Sequence, residues 1–267
     1  MKLINNLRKN HSIVFCVLFA FVYMVLFNLV GLAVAFLKLD SMMSQSLVEL
    51  ICIGFAVFIM YKLKMKNFLK EKGTGFFKGL FTGMFLLCLS LYVFAIGLIM
   101  SVFSDKIGIT EIFNILIMSV SVGLCEEFVF RGIVVNILKE KYGDSKKEIY
   151  ITVFTAGIIF GLIHLTNILA GASFQGTIVQ VICVMALGSY LAAVYVRCRN
   201  IWSMAFLHGL NDFAAFLVAG ASTMQSVTGS ISSYGLIKLI TIPIYLIPTF
   251  ILLRESKITK IIGNQDK

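Results

Sequence analysis

Long apolar runs recur along the whole chain, separated by short polar or basic stretches. Eight runs read as membrane spans, at about 12–37, 46–63, 79–103, 111–138, 149–170, 175–196, 201–220 and 234–253. A helix needs about 20 mostly apolar residues to cross the hydrocarbon core. Lipid offers no water to exposed backbone groups, so helices are the spanning elements that such runs select. The pattern therefore predicts an all-α fold: a polytopic membrane helical bundle of about eight transmembrane helices, forming a single membrane domain over 1–267. The run from Ser12 to Leu37 is longer than the roughly 7–15 apolar residues of a signal segment, and no small-x-small site follows it. It is expected to be the first membrane helix rather than a removed leader.

Composition agrees with this reading. Hydrophobic residues make up 59% of the 267 and charged ones 13%, with a mean hydropathy of +0.96. The net charge of +10 is explained by orientation and needs no nucleic-acid partner. With the N-terminus inside, nineteen Lys and Arg fall on inside segments and three (Lys38, Lys106 and Lys238) on outside ones. This asymmetry predicts that both termini are cytoplasmic. The basic loop YKLKMKNFLKEKGTGFFKG is read as an ordinary positive-inside loop, an interfacial segment on anionic lipid being the alternative. The outer loop ASTMQSVTGSISSYG is polar, uncharged and connective. The six cysteines include no CxxC pair, so neither a disulfide framework nor a cysteine zinc site is expected. Cys125 adjoins Glu126. It is read as a plain buried thiol, with a nucleophile as the alternative.

One cation and several acids lie inside the spans. Glu126, Glu127 and Arg131 sit in span four, His164 in span five, and His208 and Asp212 in span seven; Glu49 in span two is expected near the outer end, within reach of water. An ionisable group at mid-bilayer costs roughly 2.5–3.5 kcal/mol on insertion scales, which makes a functional site the default expectation. Residues four apart share a helix face. Glu127 and Arg131 are thus expected to pair, while Glu126, rotated by about 100°, points elsewhere. His208 and Asp212 are also four apart and are expected to face a common cavity. A carboxylate can act as general base toward a water, and histidines can orient that water or donate to a developing oxyanion. The set fits hydrolysis of a peptide bond within the bilayer. By helical rise, Glu126 falls roughly 22 Å below the outer start of span four and His208 roughly 10 Å above the inner start of span seven, nearly the same depth. His164 falls nearer the outer side, unless span five begins later than drawn or is tilted.

These residues carry a family pattern. EEFVFR resembles the EExxxR motif of the CPBP intramembrane proteases, the group that includes CAAX prenyl endopeptidases and the bacteriocin-processing or immunity proteins also called Abi. FGLIH resembles the second motif, FxxxH, at Phe160 and His164. HGLND resembles the third, at His208 and Asp212. The resemblance covers about 110–216, in family order. It implies that Glu126 with His164 activates water, that His208 and Asp212 form an oxyanion hole, and that Glu127, Arg131 and Phe160 support them. No cofactor is implied. An ionised Asp is a poor oxyanion donor, so Asp212 is either protonated or orients His208. Gly132, Gly161 and Gly209, beside the motifs, are read as permitting close helix approach.

Three functions remain open at this point. The first is a glutamate-type intramembrane endopeptidase. The second is a zinc protease using Glu126, His164 and His208 as ligands, with a fourth position open to water. The third is a non-enzymatic membrane immunity or transport protein. The Lys- and Ile-rich composition suggests a bacterial plasma membrane. A peptide or small membrane protein, such as a pheromone or bacteriocin leader, is the expected substrate, with the lipid bilayer as the other partner. Oligomeric state is not indicated.

Overall fold

The computed structural model describes residues 2–65, 69, 73–103, 107–223 and 227–255. Parts of two loops lie outside the described residues: 66–68 and 70–72 of the basic loop, and 224–226 of the outer loop. So do Lys106 and the tail with Lys257, Lys260 and Lys267. Among the described residues the chain is helical and contains no strand. The helices are α1 (Lys2–Asn10), α2 (Ser12–Ala35), α3 (Ser41–Lys62), α4 (Phe76–Thr82), α5 (Met84–Val102), α6 (Ile109–Val129), α7 (Asn136–Tyr142), α8 (Lys146–Leu162), α9 (Phe174–Cys198), α10 (Ile201–Thr223), α11 (Val227–Ser232) and α12 (Thr241–Leu252). A π-helical segment, Phe130–Val135, joins α6 to α7, and 3-10 turns occupy Ile163–Ile168 and Leu236–Ile240.

Seven helical stretches are long and apolar enough to cross a membrane: Ser12–Ala35, Ser41–Lys62, Met84–Val102, Ile109–Tyr142, Lys146–Ile168, Phe174–Cys198 and Ile201–Ala221. The protein is therefore a multi-pass membrane protein built as a helical bundle. The eighth expected span is a shorter apolar helix, Leu236–Leu252. It opens as a 3-10 turn, and Pro248 inside α12 removes a ladder hydrogen bond.

Two expected spans differ from an uninterrupted α-helix. Span four runs 34 residues but changes to π geometry at Phe130. The wider turn releases backbone carbonyls, and the buried Asn136 amide meets them: its Nδ2 donates to the carbonyls of Arg131 at 2.8 Å and Gly132 at 3.1 Å, with the Tyr195 hydroxyl at 2.9 Å. Span five begins earlier than expected, not later. Ser145 and Glu148 form a capping box that starts α8 at Lys146. The preceding helix stops at Gly143, whose φ of +90° suits a residue without Cβ.

The chain forms two compact units, one of Met1–Met24, Phe130–Cys198 and Ile231–Lys267, the other of Val25–Val129 and Arg199–Ser230. In the first unit α9 is central, packed by α8, the π segment and α12. Of its apolar window 72% is buried, which makes it the core of that unit. Close approach of α8 to α9 depends on glycine: a Cβ on Gly157 would lie 2.7 Å from the Ser189 nitrogen, and one on Gly161 2.7 Å from the Val181 carbonyl oxygen. In the second unit α10 packs on α5 and α6, and α3 on α6. Here a Cβ on Gly123 would lie 2.7 Å from the Gly209 nitrogen and 2.8 Å from the Ala205 oxygen. Small residues at such contacts let backbones approach where lipid provides no hydrophobic drive. Gly161 and Gly209 thus act as expected.

Candidate active site

Within the second unit, α6 and α10 bring four of the motif residues together around His208. Its Nδ1 lies 2.8 Å from Glu127 Oε1, and its Nε2 lies 3.6 Å from both Glu126 Oε2 and Asp212 Oδ2. A carboxylate can only accept, so Nδ1–H donates to Glu127 and fixes the ring. The Gly123–Gly209 contact permits this geometry: Gly209 follows His208, and a Cβ on Gly123 would lie 2.7 Å from the Gly209 nitrogen.

The two adjacent glutamates divide as their helical offset predicts. The Glu127 side chain is wholly buried, whereas Glu126 and Asp212 each keep 20% of theirs exposed. Asn211 Nδ2 approaches Asp212 Oδ1 at 3.4 Å. Glu127 is held by a histidine, a contact that single-helix spacing does not reveal, because His208 comes from a helix 81 positions away.

The first unit gathers Arg131, Phe160 and His164. Arg131, 1% exposed, donates from Nη2 to the Gly188 carbonyl at 3.2 Å, and its Cζ lies 4.7 Å over the Phe160 ring. Phe160 also meets Phe130 edge-on at 4.8 Å and His164 at 5.4 Å, with interplanar angles of 70° and 79°. Phe160 is thus the packing platform of its cluster. His164 sits in the 3-10 turn beyond α8 and is half-buried. Its Nδ1 is 3.0 Å from the Phe160 carbonyl. A carbonyl only accepts, so Nδ1 carries the proton, and Nε2 is the accepting nitrogen of the neutral ring.

Glu49 differs from expectation. It is 3% exposed, not open to water. Gln45 Nε2 donates to its Oε1 at 2.7 Å, and the thiol of buried Cys125 is hydrogen-bonded to it. A signal for this was present: Glu49 shares a helix face with Cys52, Ala56 and Met60, all fully buried. Among the described residues, no group of three or more His, Cys, Asp or Glu is arranged to hold a metal ion.

Residues 108–214 match the family model described as type II CAAX prenyl endopeptidase Rce1-like. That segment is Rce1-like. The Rce1-like segment holds all three motifs, and it spans nearly the stretch over which they resemble the CPBP proteases. At the level of family it supports a CAAX-type intramembrane protease. No curated protein and no solved structure matches the chain.

Proposed function

We propose that the protein is an intramembrane endopeptidase of glutamate type, hydrolysing a peptide bond in a membrane-associated peptide or small membrane protein. The observation that carries this reading is the division of labour at His208. One acid, Glu127, is fully buried and grips Nδ1, while the partly exposed Glu126 and Asp212 face Nε2. Glu126 is then placed to meet a water, and His208 is held in one orientation by an acid that does not touch solvent.

In the proposed reaction the water oxygen bonds to the scissile carbonyl carbon while a water proton passes to the Glu126 carboxylate. The carbonyl oxygen becomes an oxyanion, to which His208 donates from Nε2. Asp212 orients that ring. As the carbon–nitrogen bond breaks, the proton held by Glu126 goes to the leaving amine. His164 has its Nδ1 at 3.0 Å from the Phe160 carbonyl, and a water-orienting role is proposed for it on the FxxxH resemblance. Glu127 supports His208, and Phe160 supports Arg131 and His164 within their own cluster. No metal is given a role, and none of these steps calls for one.

The substrate class proposed is a peptide that reaches the bilayer, such as a leader or pheromone, or a small membrane protein. Both termini and the loop around Asp144 are assigned to the cytoplasm of a bacterial plasma membrane on the charge asymmetry. Comparative peptidomics of cells carrying the wild-type protein or Glu126→Gln tests the activity; identical membrane-peptide profiles would defeat it. Labelling of Asp144→Cys by an impermeant thiol reagent in intact cells would reverse the orientation.

A further inference from the structure

At one end of the first unit three helix ends meet. α8 starts at Lys146, α9 finishes at Cys198 and α12 at Leu252. Side chains tie these ends to one another. Arg197 Nη1 donates to the Leu252 carbonyl at 3.3 Å, the Tyr150 hydroxyl donates to the Leu253 carbonyl at 3.3 Å, and Lys146 Nζ lies 3.4 Å from Glu255 Oε2. Arg197 is half-buried; Arg254, two residues beyond the carbonyl that Arg197 grips, is exposed. The acids of this end are already committed. Glu255 meets Lys146, Glu140 meets Arg8, Asp144 lies 2.7 Å from Lys139, and Glu148 accepts from the Ser145 nitrogen at 2.8 Å. Among the described residues, neither Arg197 nor Arg254 has an acid within ion-pair distance.

Capping the end of α12 occupies one N–H of Arg197 and leaves four of the five that a guanidinium carries. Arg254 is not needed for that cap, since the Leu253 carbonyl already has Tyr150. Helix α9 has 25 residues, about 37 Å at its rise per residue, against a hydrocarbon core of about 30 Å. A helix of that length carries its ends into the headgroup layer, and Arg197 is its last residue but one. On α12, Ile247, Phe250 and Ile251 are 59%, 48% and 48% exposed, just before Arg254. Positions i, i+3 and i+4 share a helix face, so the three form one outward apolar stripe. A stripe that ends in cations matches an amphiphile with an anionic head.

We propose that Arg197 and Arg254 hold the phosphate of an anionic phospholipid, with one acyl chain lying along the stripe of Ile247, Phe250 and Ile251. The planar guanidinium fork matches a pair of phosphate oxygens. Basic pockets between membrane helices are suited to such headgroups. The lipid belongs to the leaflet that the charge asymmetry assigns to the cytoplasm. Its binding depends neither on that assignment nor on the peptidase reading.

Native mass spectrometry of the full chain in detergent, incubated with phosphatidylglycerol and phosphatidylcholine of equal chain length, tests this directly. Wild type is expected to retain phosphatidylglycerol in preference. Arg197→Gln and Arg254→Gln should each lower that retention by about 5-fold and leave phosphatidylcholine adducts unchanged. Lys38→Gln, which removes an exposed cation elsewhere in the chain, should retain as much as wild type. Equal phosphatidylglycerol adducts in wild type and in the double variant would overturn the proposal. So would an equal loss in Lys38→Gln, because net charge alone would then explain the preference. If Arg197→Gln does not fold, Arg254→Gln decides alone, since that side chain is exposed and holds no helix end. Displacement of the lipid by inorganic phosphate at equal concentration would make this a free-phosphate site and defeat the lipid reading. Lipid that stays bound under that challenge supports the contribution of the apolar stripe.

Discussion

Around His208 the partners are acids; around Arg131 they are an aromatic face and a backbone carbonyl. In the first cluster Glu127 takes one ring nitrogen at 2.8 Å while Glu126 and Asp212 stand 3.6 Å from the other. In the second, the guanidinium stacks 4.7 Å over Phe160 and donates to Gly188. Both keep an ionisable group inside a membrane protein, where an unbalanced charge is expensive. They do so with different consequences. Carboxylates leave protons free to move and, through the 20% exposure of Glu126 and Asp212, leave chemistry within reach of water. A ring face and a carbonyl accept no proton at neutral pH, so they lock a side chain without giving it chemistry. On the proposed reading, the motif residues divide into a reactive set and a framework set.

The largest effect expected from breaking this contrast is on the reactive side. Glu126→Gln keeps size and hydrogen bonding but removes the base, and should lower turnover by about 10²–10⁴-fold with an unchanged melting temperature. Near-normal cleavage by this variant, together with a folded but inactive Glu127→Gln, would exchange the two roles.

Stability should respond next, at Glu127. Its wholly buried carboxylate lies 2.8 Å from His208 Nδ1, and removing one member of a buried charged pair costs roughly 3–5 kcal/mol. Glu127→Gln should lower the melting temperature; a value equal to wild type would show that this acid does not hold His208.

A smaller loss tests the close contacts under each cluster. Gly123→Ala must move the backbone of Gly209 and Ala205, and should cost about 1–3 kcal/mol together with activity. Gly54→Ala, where a Cβ meets nothing within 4 Å, should stay within about 0.5 kcal/mol. Equal melting temperatures for the two would remove the glycine contact as the device that brings His208 to Glu127.

Arg131→Lys keeps the charge but loses the planar stack on Phe160. It should cost about 1–2 kcal/mol and leave the pH profile of cleavage where it was. A displaced profile would place Arg131 in the reactive set. The smallest effect is expected from chelation: turnover should be unchanged after a strong zinc chelator. Activity lost on chelation and regained with zinc would replace the glutamate mechanism by a metal one.

Sequence alone determined the helical class, seven of the spans in outline and the motif residues, because each rests on a local quantity. Run length against bilayer thickness, a glutamate in an apolar run and the spacing of His208 from Asp212 need no partner to be read. The different fates of Glu126 and Glu127 were also legible, since 100° of rotation separates them. The partners were not. That Glu127 grips His208 depends on how closely α6 approaches α10, which Gly123 and Gly209 set together. The π segment, with Asn136 receiving its released carbonyls, was hidden because an apolar run has the same composition in α and π geometry. Glu49 was misplaced for a related reason. Position along a span gives depth in the membrane, but burial is decided by which helix covers that face, and α6 covers this one with Cys125. Local periodicity fixes which side chains point together on one helix; only packing between helices decides what they meet.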